Sequence, residues 1–136
     1  MYKNIIVAVD LAHGEAGKAL LNRARALIDQ GGTIHLIHVL EDVPSYIAAE
    51  LPRDLSERRQ AEAKVELGLL AEGSDVETVT DVRSGAAASQ ILQAAEDNDA
   101  DLIMIASHRP GLSDYFIGST AARVVRHAQS SVLISR

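Results

Sequence analysis

Short apolar runs rich in β-branched residues alternate along this chain with stretches of helical period, the pattern of strands and helices in turn. The first run, Asn4-Ile5-Ile6-Val7-Ala8-Val9-Asp10, predicts a strand. A helical segment follows from about Glu15 to Asp29, with Ala16, Leu20, Ala24, Leu27 and Ile28 on one face and Gly31-Gly32 as its stop. Thr33 to Leu40 predicts a second strand, whose nearly continuous hydrophobicity implies burial on both faces, as in a parallel sheet. Glu41 to Pro52 is less regular: Pro44 and Pro52 bracket Tyr46-Ile47-Ala48-Ala49, which fits a loop or a short helix. Asp54 or Ser56 then caps a helix to about Glu72, in which Ala61, Val65 and Leu69 recur every four residues and which Gly73 ends. Val76 to Val82 is a third strand, and Ser84-Gly85 opens a helix with Ala88, Ile91, Leu92 and Ala95 inward. Asp101 to Ala106 is a fourth strand, Gly118-Ser119-Thr120 begins a helix to about Ala128, and Ser131 to Ser135 is a fifth strand.

Right-handed crossovers turn this β-α-β-α-β-α-β-α-β order into an α/β fold, one open, doubly wound parallel sheet with helices on both faces. A single domain over residues 1–136 accounts for the whole pattern, with no linker, low-complexity tract or internal repeat. Such a sheet binds ligands beyond the carboxyl ends of its strands where the strand order reverses. The informative residues are therefore those just after each strand: Asp10, Val39 to Asp42, Arg83 to Gly85, and Ala106 onward.

Composition narrows the chemistry. There are no cysteines, which excludes disulfides, thiolate catalysis and cysteine-ligated metal centres and fits a reducing compartment. The 13 Lys+Arg against 19 Asp+Glu give −6, and with only 3% aromatics this argues against a nucleic-acid partner held by basic patches and stacking rings. The longest apolar runs, Ile5 to Val9 and Leu102 to Ala106, are far shorter than the 18 or so residues of a membrane span. The first residues, Met1-Tyr2-Lys3-Asn4, lead straight into a strand rather than a secretory signal, so the expected location is the cytoplasm, without membrane insertion.

The densest candidate site is the stretch from Ala106-Ser107-His108-Arg109-Pro110 to Gly118-Ser119-Thr120. A strand end, a loop and a helix start would present backbone N–H groups and the positive end of a helix dipole together, which suits a phosphate. Gly118 would let backbone approach the anion, with Ser119 and Thr120 adding hydroxyl donors. The competing reading is that Gly-Ser-Thr is only a helix cap. Asp10 has a similar alternative, a turn residue or cap after the first strand.

Together with Asn4 to Asp10, His38-Val39 and the closing Val124 to Ile134, this stretch resembles the universal stress protein family over essentially the whole chain. The resemblance implies a five-stranded parallel sheet of order 3-2-1-4-5, of the adenine nucleotide alpha hydrolase-like type, with ATP (or AMP or ADP) held at the ends of the first and fourth strands in the binding members. It implies Asp10 near the ribose or a phosphate-bound Mg²⁺, which makes Asp10 the candidate metal contact, Ala8 beside the base and the Val39 backbone at the adenine edge. Ala106, Ser107, His108 and Arg109 would surround ribose and phosphates, with Gly118, Ser119 and Thr120 on the β and γ groups. The family's Gly-x2-Gly-x9-Gly-Ser/Thr pattern is altered: Ala106 and Arg109 stand where its first two glycines would be, and eight residues separate Arg109 from Gly118. The Arg109 guanidinium offers forked, charge-assisted bonds to phosphate in place of lost main-chain access. After Asp10, Leu11 and Ala12 replace the small and hydroxyl residues usual there. The resemblance further implies a homodimer through the last strand, with Val132, Leu133 and Ile134 at the interface, and a tetramer in the Arg-Pro branch.

His35 and His38, three apart in a strand, point to opposite faces and cannot form a metal pair, so packing or hydrogen bonding is expected of them. His127 near the end of the last helix favours the dipole there, and Glu57 to Lys64 fits a solvated helix face. No general base is evident, so ATP turnover is expected to be slow or absent, and self-phosphorylation at Ser119 or Thr120 lacks a visible aligned acceptor. The leading reading is a nucleotide-dependent stress sensor or regulator; the alternative is a dimeric interaction protein without nucleotide, including a regulatory partner of a membrane transporter.

Overall fold

The computed structural model describes residues 1–41, 45–52, 54–107 and 118–136. Its strands are β1 (Tyr2–Ala8), β2 (Ile28–Leu40), β3 (Glu77–Ser84), β4 (Leu102–Ala106) and β5 (Ser131–Ser135). Its helices are α1 (Gly14–Leu27), the single turn α2 (Ser45–Ala48), α3 (Leu55–Ala71), α4 (Ala87–Asp97) and α5 (Ser119–His127). A 3₁₀ turn, Leu11–His13, joins β1 to α1. The strands form one sheet in the order β3-β2-β1-β4-β5, and every pairing is parallel.

Strand alternation divides the core into two layers. Ile5, Val7, Ile34, Leu36, Leu102 and Met104 pack with Leu20, Leu21 and Ala24 of α1 and Leu67 of α3. Ile6, Ala8, Ile37, Ile103 and Ile105 pack on the opposite face with Ala88, Ile91 and Ala94 of α4 and Ala121 and Val124 of α5. The continuous apolar runs of β1 and β4 follow from this, because a central parallel strand is covered on both sides. Asp101 fastens the two strands at their starts: its Oδ2 accepts the Lys3 N–H at 2.8 Å and its Oδ1 the Asn4 N–H at 3.0 Å.

Two local expectations are corrected. Gly31-Gly32 does not stop α1; that helix ends at Leu27, and β2 begins at Ile28, so Ile28 belongs to the sheet rather than to the inner face of the helix. The pairing of β1 with β2 jumps from Tyr2↔Ile28 to Asn4↔Thr33, and the glycines absorb the extra residues. Gly31 sits at φ 81°, and a Cβ on Gly32 would meet the Lys3 carbonyl oxygen at 2.9 Å, so both steps of the irregularity require glycine. In α3, the recurring row turns outward: Val65 is 64% and Leu69 61% exposed, while Ala63 and Leu67 face the core. Asp54 occupies the N-cap position without a side-chain cap bond and pairs with Arg58 at 3.2 Å.

Candidate functional site

Three strand ends converge where the sheet order reverses. Beyond β1, the Val9 N–H donates to Ile37 O at 2.9 Å, carrying the chain one step further along β2 before it turns. Asp10 then ends the strand, and its Oδ1 accepts the Ala12 N–H at 3.0 Å, so the carboxylate caps the 3₁₀ turn as the turn reading anticipates. Beyond β4, the Ser107 N–H donates to Ser135 O at 2.8 Å. Between the ends of β1 and β4 lies a cavity of about 460 Å³. Its volume falls within the few hundred to about 1,000 Å³ common for small-molecule and cofactor sites.

Of the residues singled out in the sequence, Ala8, Asp10, Val39, Ala106 and Thr120 line this cavity together. Ser107, Gly118 and Ser119 stand beside it, outside the lining. His108 and Arg109 lie outside the described residues. The inner wall is apolar, with Ala8 backed by Ile37, Ile91 and Ile105, a surface suited to a flat heterocycle. The outer wall is polar, formed by Asp10, His13, His38, Glu41 and Arg59.

Among the described residues, no side chain caps the start of α5. Its N-cap residue is Gly118, which has no side chain to offer, and neither Ser119 nor Thr120 occupies that position. The first helical bond runs from Ala122 N–H to Gly118 O at 2.9 Å. The N–H groups of the first turn precede any intrahelical partner and retain the positive end of the dipole. Gly118 holds φ −55° and ψ 155°, ordinary for any residue, and a Cβ there would meet no described atom within 4 Å. Its backbone angles therefore do not require glycine. Thr120, one turn position on, brings the same helix end to the cavity.

The polar wall was only partly legible in the sequence. Arg59 falls in a run that reads as a solvated helix face, yet α3 lies over the sheet so that Arg59 reaches the cavity while Arg58 stays at the surface. His38 lines the cavity as well, with its Nδ1 3.0 Å from Val9 O. A carbonyl only accepts, so Nδ1 carries the proton and Nε2 is the remaining ring nitrogen of the neutral form. His35 takes the opposite face, as its spacing requires, with Nε2 3.3 Å from Asn4 Oδ1. Burial lowers its pKa below the usual imidazole range, opposed by the charges of Asp81 and Glu77. Among the described residues, no group of three or more His, Cys, Asp or Glu side chains could hold a metal ion. No helix among them is long and apolar enough to cross a membrane.

The sequence profile described as "Universal stress protein family" matches residues 1–136. Universal stress protein G of Salmonella typhimurium is 34% identical over 143 residues, covering 100% of both chains. Among solved structures, hypothetical protein MJ0577 superposes with a TM-score of 0.82 at 23% identity, covering 99% of this chain and 96% of the other. A universal stress protein in complex with cAMP superposes with a TM-score of 0.60 at 20% identity, covering 99% and 97%. At these identities the two structural likenesses establish the common fold.

Proposed function

Given that the chain belongs to the universal stress protein family, we propose that its cleft between β1 and β4 binds an adenine nucleotide and that occupancy regulates assembly or a partner protein. The observation that carries this reading is the pairing of an apolar inner wall with a helix start whose N-cap, Gly118, offers no side chain, at one cavity and at the reversal point of the sheet. A base would lie against Ala8, Ile37 and Ile105, with the Val39 backbone at its edge. Asp10 would take a ribose hydroxyl or the Mg²⁺ that accompanies ATP. The phosphates would run toward Thr120, Ser119 and the first N–H groups of α5, where anion and dipole attract each other. Ala106, Ser107, His108 and Arg109 complete the proposed contacts. The complex of a family member with cAMP supports the ligand class, adenine nucleotides, for this fold.

A regulatory role suits this arrangement better than rapid turnover. Asp10 is engaged in capping the turn after β1, and His38, whose Nδ1 is held by Val9 O, is oriented by a backbone carbonyl rather than by a carboxylate. A ligand retained without hydrolysis can bias a conformational or assembly equilibrium by its differential affinity. The assembly partner on this reading is a second copy at the β5 edge. The Val132 and Ile134 backbones point away from β4, because Ser135 O accepts from Ser107 and alternate residues of a parallel strand share one side. Their side chains pack inward on the sheet beneath α4 and α5, and Leu133 packs on the other face, so pairing would proceed through main-chain bonds.

The deciding experiment purifies the protein without added nucleotide, denatures it, and identifies the released small molecule by chromatography and mass spectrometry, with Mg-ATP, AMP and cAMP titrated calorimetrically into the stripped protein. Stoichiometric adenine nucleotide, or saturable binding of one of the three, supports the reading. An empty protein that binds none of them overturns it in favour of an interaction module without nucleotide.

A further inference from the structure

The outward face of α3 carries an apolar row that the fold does not use. Ala63 and Leu67 fix the inward direction of the helix. Around a helix of about 100° per residue, Val65 lies nearly opposite them, and Arg58, Ala61, Gly68, Leu69 and Glu72 fall within about 60° of Val65 on either side. Val65 and Leu69 are 64% and 61% exposed, and Ala61 is exposed between Arg58 and Glu62. A Cβ on Gly68 would touch nothing within 4 Å. A helix with one apolar stripe against a sheet and another opposite it is equipped to pack twice.

We propose that this face pairs with the α3 helix of a second copy of the chain, antiparallel about a two-fold axis passing at Val65. Reversing the helix about that residue gives a self-complementary sequence. Val65 meets Val65 of the second copy, Ala61 lies level with Leu69, and Arg58 lies level with Glu72 at both ends. The small residue stands opposite the large one, which lets two helices interdigitate closely. The cation stands opposite the carboxylate, and each pair occurs twice, as an isologous interface demands. Opposite charge at both ends also disfavours the parallel arrangement, in which Arg58 would meet Arg58 and Glu72 would meet Glu72. Arg58 holds Asp54 at 3.2 Å, with its side chain 59% exposed, so it remains accessible to a carboxylate from outside.

One helix pair is smaller than a standard protein interface of about 1,600 Å², so the contact is concentration-dependent and adds to any pairing through β5. It lies on a different element from that strand. Arg59, next to this stripe, reaches the cavity from the flank of the same helix.

The absence of cysteine makes the test clean. At an interaxial separation of about 8–10 Å, with Cα atoms about 2.3 Å from each axis, facing Cα atoms come within about 3.5–5.5 Å. That range overlaps the Cα separation of a disulfide, about 4.4–6.8 Å. Val65→Cys should therefore give a covalent dimer under mild oxidation at least about tenfold faster than the equally solvent-facing control Glu66→Cys, because the thiols are held at high effective concentration. Charge reversal supplies a second readout by sedimentation of the reduced protein. Arg58→Glu or Glu72→Arg alone should weaken association by about tenfold, and the double variant should restore it. Cross-linking of Val65→Cys no faster than the control overturns the proposal. So does failure of the double charge reversal to recover association. These outcomes are independent of nucleotide occupancy and of the β5 edge, since neither brings two Val65 positions together.

Discussion

Gly118→Val separates a phosphate-binding helix start from an ordinary one. Gly118 adopts φ −55° and ψ 155°, which valine adopts without strain, and its Cβ position is clear of described atoms within 4 Å. The fold should therefore tolerate the change. Valine is a poorer N-cap than glycine, at a cost of up to about 1 kcal/mol, and the more restricted unfolded chain offsets about 0.4–1 kcal/mol of that. Net stability should shift by less than about 1 kcal/mol, or a few degrees in Tm for a domain of this size. The effect on binding should be larger. The isopropyl group would project beside the first N–H groups of α5, displacing a phosphate from one or two charge-assisted bonds of about 1.5–3 kcal/mol each. That corresponds to a loss of about tenfold to ten-thousandfold in affinity. Calorimetric titration with Mg-ATP, beside thermal unfolding in the absence of ligand, measures both quantities on the same preparations. If the variant folds normally and binds as tightly as the parent, the phosphates do not sit at α5 and the proposed orientation of the nucleotide fails.

Further perturbations address the polar wall, the sheet and its edge. Arg59→Gln should weaken a triphosphate more than adenosine, by about tenfold, because a cavity-lining cation is lost; equal effects on both ligands would exclude phosphate contact. Asp101→Ala removes the acceptors of the Lys3 and Asn4 N–H groups and should lower stability in urea by about 1–3 kcal/mol, with Asp101→Asn intermediate; an unchanged midpoint would show that the clip contributes nothing. Partial burial disfavours the charged form of His35 in the folded protein, so its contribution to stability is full above the unfolded pKa of about 6.5 and is lost as pH falls toward the depressed folded value. His35→Asn should flatten the fall in Tm between about pH 7.5 and 5.5, and an identical slope in both proteins would refute this assignment. Val132→Pro removes an outward-pointing edge donor while sparing the bonds to β4, and light scattering should then show dissociation of a β5-paired dimer; an undisturbed dimer would place the contact elsewhere.

The strands were readable because central parallel strands cannot hide their composition. Ile5 to Val9 and Leu102 to Ile105 are buried on both faces, and their apolar runs say so. The rule that ligands gather beyond strand ends pointed to Asp10, Val39 and Ala106, which line the cavity, and equally to Arg83 to Gly85, which do not. Other features depend on information that local pattern does not contain. Gly31-Gly32 has the same appearance as a helix stop and as a strand irregularity, and only the pairing of Tyr2 with Ile28 distinguishes the two. In α3, apolar residues on both faces leave the inward direction undetermined until Ala63 and Leu67 meet the sheet. Arg59 could not be separated from Arg58 by its neighbours in sequence, since one residue of rotation decides which reaches the cleft.

The short pairing of β1 with β4, from Ile5↔Leu102 to Ala8↔Ile105, also has a developmental meaning. It joins segments almost a hundred residues apart, whereas β2 and β3 align continuously from Thr33 to Leu40 with segments much nearer in the chain. A ribosome would have released the first three strands long before this seam could close, and the cleft has no existence until it does. A nucleotide lying across the seam would thus act as a clasp between an early-made half and a late-made half of the molecule. Cut chains, supplied as two fragments, would be drawn together by it.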